Sequence, residues 1–330
     1  MKDRRQFLKE AAAGAMIISS GGLGMAGLDA EMEHTRKSKV VIARDPALHG
    51  TGTQPDEKRV LDLLDRAMAA HTGHDRPVQA WKSVVPMDKV IGLKVNGLGG
   101  RGIATHPALI LAIAERLQQA GVKPGNILVW DQNTPFLENC GMKVNMDPAK
   151  MRCIPADSAG FEDEVSSFGV AHIRVTRILT RECTMVINLP ILKDHRMAGV
   201  TFALKNMYGS VDRPFTLHET NCCPAVADLN SIDVYRAKVG ITIGDAMSSV
   251  YDGGPTYRPE RIWYPNALLV GDDRVALDTV GWQMIEQKRA EAGLRTLEED
   301  GRAPRYIAVA ADTAHQLGTN DPQRIHRVEI

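Results

Sequence analysis

The sequence predicts an α/β fold: a mostly parallel, buried sheet with helices on both faces and one loop-rich insertion at about residues 132–180. Short runs of Val, Ile and Leu with almost no polar alternation recur along the chain, the pattern of strands covered on both faces. Segments with apolar residues three and four apart lie between them, as helices that cross over a parallel sheet require. The chain has 330 residues, 44% of them hydrophobic and 24% charged, the balance of an ordinary globular protein large enough for one broad core or two smaller ones.

The elements follow in chain order. Residues 1–30 read as an export leader outside the fold: Arg4-Arg5-Gln6-Phe7-Leu8-Lys9, then an uncharged Ala- and Gly-rich apolar run from Ala11 to Leu28. The segment resembles a twin-arginine (Tat) signal, with cleavage expected after Ala26 or Ala30. This implies a partner in the Tat export machinery, a periplasmic or otherwise exported location, and no stable membrane span after cleavage. Residues 31–38 read as a polar tether and 39–330 as the folded domain.

Lys39–Ala43 is expected to be a strand, and Glu57–Ala70 a helix with Val60, Leu61, Leu64, Ala67 and Met68 on one face. Val90–Val95 is the next strand. A helix then begins at Pro107, with Thr105 as its cap, and stops at Gly121. Strands are expected at Ile127–Trp130, Thr184–Leu189, Gly240–Ile243 and Ala267–Val270, with a short one near Ala171–Val175. A helix runs from about Val275 to Ala292, and residues 307–310 are expected to close the sheet.

Forty basic and forty acidic residues leave no net charge with which to neutralise phosphates, and aromatics are only 5%. A nucleic-acid binder is therefore not expected. The five cysteines, Cys140, Cys153, Cys183, Cys222 and Cys223, contain no CxxC pair, so no ferredoxin-type Fe–S site or zinc ribbon is expected. Gly97-Leu98-Gly99-Gly100-Arg101-Gly102 is a literal GxGxxG, but the helix opens five residues after it and the next strand-end acid is Asp131. NAD is accordingly not expected. With no GxSxG elbow, nothing indicates a serine triad.

The chemistry is expected where the strands end. Five strands lead into polar residues: Lys94 and Asn96, Asp131, the run Lys193-Asp194-His195, Asp245, and Asp272-Asp273. Ligands of open parallel sheets bind beyond the carboxyl ends of the strands, so these groups should meet in one hollow. Lys205-Asn206 sits in the apolar run Gly199–Gly209, and a buried ammonium there needs a carboxylate or an anionic ligand. Asp131, Asp245 and Asp273 are the available carboxylates. His106, at a helix start, and His195 are the candidate proton carriers, while His218 lies in a polar loop near Cys222-Cys223. Asp131, Asp245, Asp273 and His195 are also a mixed oxygen and nitrogen set that could hold a divalent metal.

The runs GLKVN, THP, VWD, NLPILKDH, GVTFALKNMYG, GDA and GDDRVALD resemble the DUF362 family over roughly residues 40–285. The resemblance implies an α/β domain whose shared polar residues fall at Lys94, Asn96, His106, Asp131, Lys193, His195, Thr201, Lys205, Asn206, Asp245, Asp273 and Asp278. Some relatives carry ferredoxin-like cysteine motifs, which this chain lacks. The family is also distantly similar to the N-terminal domain of nickel-pincer lactate racemases, although no motif here establishes that cofactor.

Together these readings predict an exported enzyme acting on a small anionic molecule, a hydroxy acid or phosphorylated compound. Lys94, Lys193 and Lys205 would hold the anion and Asn96 and Asn206 orient it. His195 or His106 would move a proton, with Asp131 or Asp245 fixing the imidazole tautomer, as in racemases and lyases. The alternatives are a divalent-metal enzyme and a non-catalytic periplasmic solute-binding protein.

Overall fold

The computed structural model describes residues 37–330, so the leader and most of the tether lie outside the described residues. The strands are β1 (Ser38–Arg44), β2 (Ile91–Lys94), β3 (Ile127–Trp130), β4 (Arg152–Cys153), β5 (Ser166–Phe168), β6 (Ala171–Ile173), β7 (Met185–Asn188), β8 (Ile191–His195), β9 (Gly199–Thr201), β10 (Val239–Val250), β11 (Ile262–Trp263), β12 (Ala267–Gly271) and β13 (Ile325–Glu329). The helices used below are α1 (Glu57–Thr72), α2 (Pro77–Val84), α3 (Pro107–Ala120), α4 (Ala225–Ser231), α5 (Arg274–Glu291) and α6 (Tyr306–Ala310).

The main sheet runs in the order β13-β1-β12-β10-β7-β2-β3-β4, with β8, β9 and β11 attached through β10. From β10 to β4 every neighbour is parallel. β12 runs antiparallel to both β10 and β1, while β13 pairs parallel with β1. The sheet is thus mixed and mostly parallel, as the unalternating strands predict. Both faces are covered. Val41, Ala43, Leu93 and Ile187 pack under α1, α2 and α3. Val40, Ile42 and Leu269 pack under α5 on the other face.

Local signals explain the helix ends. Asp56 caps α1 by accepting from Arg59 N, and α1 stops at Gly73 in the left-handed conformation. Pro107 opens α3 at a position where a missing N–H is tolerated, and Gly121 ends it with φ 115°.

Three expectations are corrected. Residues 307–310 lie in the helix α6, and the edge strand is β13. The residue at the cap of α3 is His106; the Thr105 hydroxyl instead receives Asn96 N and donates to Leu189 O, tying β2 to β7. The Lys193-Asp194-His195 run is a strand, β8, that turns back through β9. The 132–180 region supplies the edge strand β4 and the β5–β6 hairpin.

Candidate functional site

Lys94 ends β2 and Asp131 follows β3, but Lys193 lies within β8 and Asp245 within β10, so two of the expected strand-end groups are mid-strand residues. The fully buried Cys140 thiol lies within electrostatic reach of all four. Asp273 is elsewhere. Because β12 is antiparallel, Gly271 pairs with Thr242 near the start of β10, at the opposite end of the strands. There Asp273 caps α5 through Val275 N and Ala276 N and receives Ser38 Oγ and Thr319 N. It is a structural cap, and the set Asp131, Asp245, Asp273 and His195 is not assembled. Among the described residues no three His, Cys, Asp or Glu side chains are grouped to hold a metal ion.

The candidate groups fall into three parts. The first is a closed polar floor. Lys94 Nζ donates to Asp131 Oδ1 (2.8 Å), Val95 O (2.6 Å) and Asn206 Oδ1 (3.3 Å). Asp131 also receives Gly97 N and Gln132 N. Asn96 donates to Asn206, and Asn206 donates to Asn188 Oδ1 and Lys94 O. Lys193 Nζ donates to Asn96 Oδ1 and to the carbonyls of Leu98 and Ile103. Burial pulls the Lys193 pKa down to about 7, while three oxygen acceptors need all three of its protons. The turn 205–210 can lie on this floor because residue 209 is glycine; a Cβ there would stand 2.6 Å from Asp131 Oδ1.

Lys94, Asn96, Asp131, Lys193 and Asn206 were expected to bind substrate or move protons. Each spends its polar atoms on the others, on Asn188 or on the backbone, which makes them a closed structural network. In particular, Asp131 pairs with Lys94 and takes no part in fixing an imidazole.

The second part keeps free valence. Lys205 is 5% exposed, and no carboxylate lies within ion-pair distance of it among the described residues. Its ammonium faces His218 Nε2 (3.2 Å) and the Tyr208 ring (3.9 Å to the centroid) and feels the Cys222 thiol. Burial pulls its pKa down to about 8. His218 Nδ1 meets Pro214 O and so carries the proton, which leaves Nε2 to accept from Lys205.

His195, stacked near His218 at 5.9 Å, receives Met197 N and Ala198 N on Nδ1. Its proton is therefore on Nε2. Burial, and next the Lys205 charge, press its pKa to about 2, so it is a neutral hydrogen-bond donor. Thr201 pairs in register with Lys193 and shares its face of the β8–β9 ribbon; its hydroxyl is buried and unpartnered. Lys205 is held in place from behind. Asp278 receives Ala203 N (2.6 Å), Leu204 N (3.3 Å) and the Tyr306 hydroxyl (3.1 Å). Beside Lys205, Thr220, Asn221 and Cys222 take left-handed φ values of 50°, 57° and 66°. All five cysteines are free thiols.

His106 lies in a third arrangement, at the start of α3. Its Nδ1 and its backbone N both meet Asp245 Oδ2 at 2.8 Å, and its Nε2 meets Ser248 Oγ at 3.3 Å. His49 stands 6.2 Å from His106 by ring centroids, with Tyr264 edge-on to it at 4.7 Å. Thus of the predicted acid–base pairings, Asp245 with His106 is present. Sequence reading missed Ser248 and His49. Ser248 follows Asp245 by three residues in a strand that reads as uniformly buried, and only the irregular register of β10 against β8 brings both to one histidine.

Among the described residues no helix is long and apolar enough to cross a membrane.

The chain is similar to the thylakoid-associated protein sll1697 of Synechocystis sp., at 30% identity over 134 residues. That match takes in 39% of this chain and 40% of the relative, so it spans less than half of the relative's length. A crystal structure of a Thermotoga maritima protein aligns with a TM-score of 0.39 at 13% identity, over 67% of this chain and 56% of that one. Residues 91–283 match the model of a domain of unknown function, DUF362, and hold Lys94, His106, Asp131, His195, Lys205, Asp245 and Ser248. The chain is a member of the DUF362 family.

Proposed function

We propose that this chain is an exported enzyme that takes a small anionic substrate into the hollow lined by Lys205, Thr201 and His195 and acts on it by acid–base chemistry. The observation that supports it is the unpaired Lys205 ammonium. A buried charge without a counter-charge is expensive, and an anion would supply the counter-charge. Two further donors lie on the β8–β9 ribbon, the unpartnered Thr201 hydroxyl and His195 Nε2–H, the second within electrostatic reach of Lys205.

In this reading Lys205 binds the anion and His195 and Thr201 orient it by hydrogen bonds. The His106–Asp245 pair moves the proton. Asp245 holds the His106 proton on Nδ1, which leaves the Nε2 lone pair as the base. Racemase- or lyase-type proton transfer next to a carboxylate fits these parts. Export through the Tat route belongs to the same proposal and rests on the Arg4–Lys9 motif and the apolar run after it.

Calorimetric titration of the protein with a short 2-hydroxy acid and with inorganic phosphate tests the reading. At least one should bind, and Lys205→Met should weaken that binding by about tenfold or more, as loss of a charge-assisted hydrogen bond implies. Equal binding by wild type and Lys205→Met would overturn it.

A further inference from the structure

We propose that Ser248, His106 and Asp245 form a catalytic triad that gives the protein an acyl-transfer activity, with Ser248 as nucleophile. The geometry is that of an activated hydroxyl. Asp245 accepts the proton on His106 Nδ1 at 2.8 Å, so Nε2 carries the lone pair and accepts the Ser248 O–H at 3.3 Å. Asp245 is itself fixed. Its second oxygen receives Met247 N, and its first also takes the backbone N of His106, so the ring and the helix start are oriented together.

The placement is not a by-product of regular strand geometry. Residues three apart on a regular strand point to opposite faces. The shift in register between Asp245 and Val250, where β10 leaves β7 for β8, turns both toward His106. Bulges of this kind re-aim side chains beside active sites. His106 and Ser248 are buried, with 6% and 3% of their surface exposed. His49 packs beside the His106 ring, and the solvent-exposed Tyr264 packs on His49.

The step balances as follows. Ser248 Oγ attacks the carbonyl carbon of an ester or thioester as its proton passes to His106 Nε2. The new Oγ–C bond forms, the bond from that carbon to the leaving oxygen or sulfur breaks, and the leaving group takes the proton from Nε2. Water then repeats the exchange, regenerating the Ser248 hydroxyl and releasing a carboxylic acid. No oxidant, metal or cofactor is needed.

The inference uses the His106–Asp245 pair of the function proposed above but not the Lys205 hollow, so the two fail separately. The test treats the full-length protein with a small fluorophosphonate, and separately with p-nitrophenyl acetate, and maps the added mass. One adduct per chain is expected, on Ser248. p-Nitrophenolate should be released in a burst of about one per chain.

His106→Ala should slow labelling by about 10²-fold or more, and Asp245→Asn should slow it as well. Ser249→Ala, on the neighbouring hydroxyl, should label like wild type. Absence of added mass on Ser248 would overturn the proposal, as would labelling at the wild-type rate in His106→Ala. Both readouts are made on chains that melt cooperatively. Because wild type carries the first of them, the test stands even if a variant fails to fold.

Discussion

Two buried lysines a few residues from the same hollow are used in opposite ways. Lys94 gives all three protons away, one of them to a carboxylate at 2.8 Å, and closes the floor. Lys205 has an imidazole, an aromatic face and a thiol for company, and no carboxylate. In the low-dielectric interior that difference decides role. A saturated charge is part of the structure and has nothing left for a ligand. An unsaturated one is a cost that something outside the chain can remove. Burial alone does not separate them, since both are almost fully buried.

The sharpest way to break this comparison is one substitution made twice. Lys94→Met strands the Asp131 carboxylate beneath Gly209, and breaking a buried pair costs about 3–5 kcal/mol. It should lower the melting temperature by many degrees, or leave no cooperative transition in calorimetry. Lys205→Met strands no charge, because only His218 Nε2 and the Cys222 thiol lose a hydrogen-bond partner, and the chain should melt at or above the wild-type temperature. Similar losses from both would mean that Lys205 is as structural as Lys94.

Much of this was legible in the sequence, for reasons that also set its limits. The long apolar runs announce the strands, and Asp56, Pro107, Gly73 and Gly121 announce helix ends, because these signals are local. Lys94 at the end of β2 and Asp131 just after β3 meet as neighbouring strand ends of a parallel sheet do. Strand direction is not local, however. β12 reads like its neighbours yet runs the other way, and so Asp273, which looks like one more strand-end acid, caps a helix at the other end of the strands.

Saturation was equally hidden. Asn188 and the carbonyls of Val95, Leu98 and Ile103 consume donors of Asn206, Lys94 and Lys193, and nothing in the spacing of those residues foretells it. Ser248 was missed because a change of register in the middle of a strand leaves no compositional trace.

The comparison sharpens with pH. Only protonated Lys205 attracts an anion, and burial puts its pKa at about 8. Its other titratable neighbours compete little. His195 is held neutral with a pKa near 2 and His218 with one near 4, and burial keeps the Cys222 thiol above its ordinary value. Anion affinity should therefore be level from about pH 5 to 7 and fall about tenfold per unit above 8. An anion also raises the Lys205 pKa, so binding near pH 8 should take up a proton. Calorimetry in buffers of different ionisation enthalpy reads that uptake directly. A flat affinity from pH 7 to 10 would assign the anion to a group other than Lys205.

The smallest expected effect lies behind the hollow, at Asp278. Its carboxyl holds the backbone of residues 203 and 204, and through it the start of the Lys205 turn. Burial, opposed most by the Tyr306 hydroxyl, raises its pKa from 3.8 to about 7. The native state therefore keeps this proton where the unfolded chain has lost it. Stability from this group is fully present below about pH 4 and drains away as pH rises toward 7, after which the term is constant. Asn has the same shape and does not titrate. Asp278→Asn should accordingly flatten the melting temperature against pH between 4 and 7, with the variant gaining on wild type toward the upper end. It should leave Lys205 able to bind an anion, since the Asn oxygen can still accept from Ala203 N. If the two curves stay parallel across that range, Asp278 is ionised in the native state. The backbone of the hollow would then be pinned by a charge, which would make Asp278 resemble the Lys94–Asp131 floor more than the unsaturated Lys205 it supports.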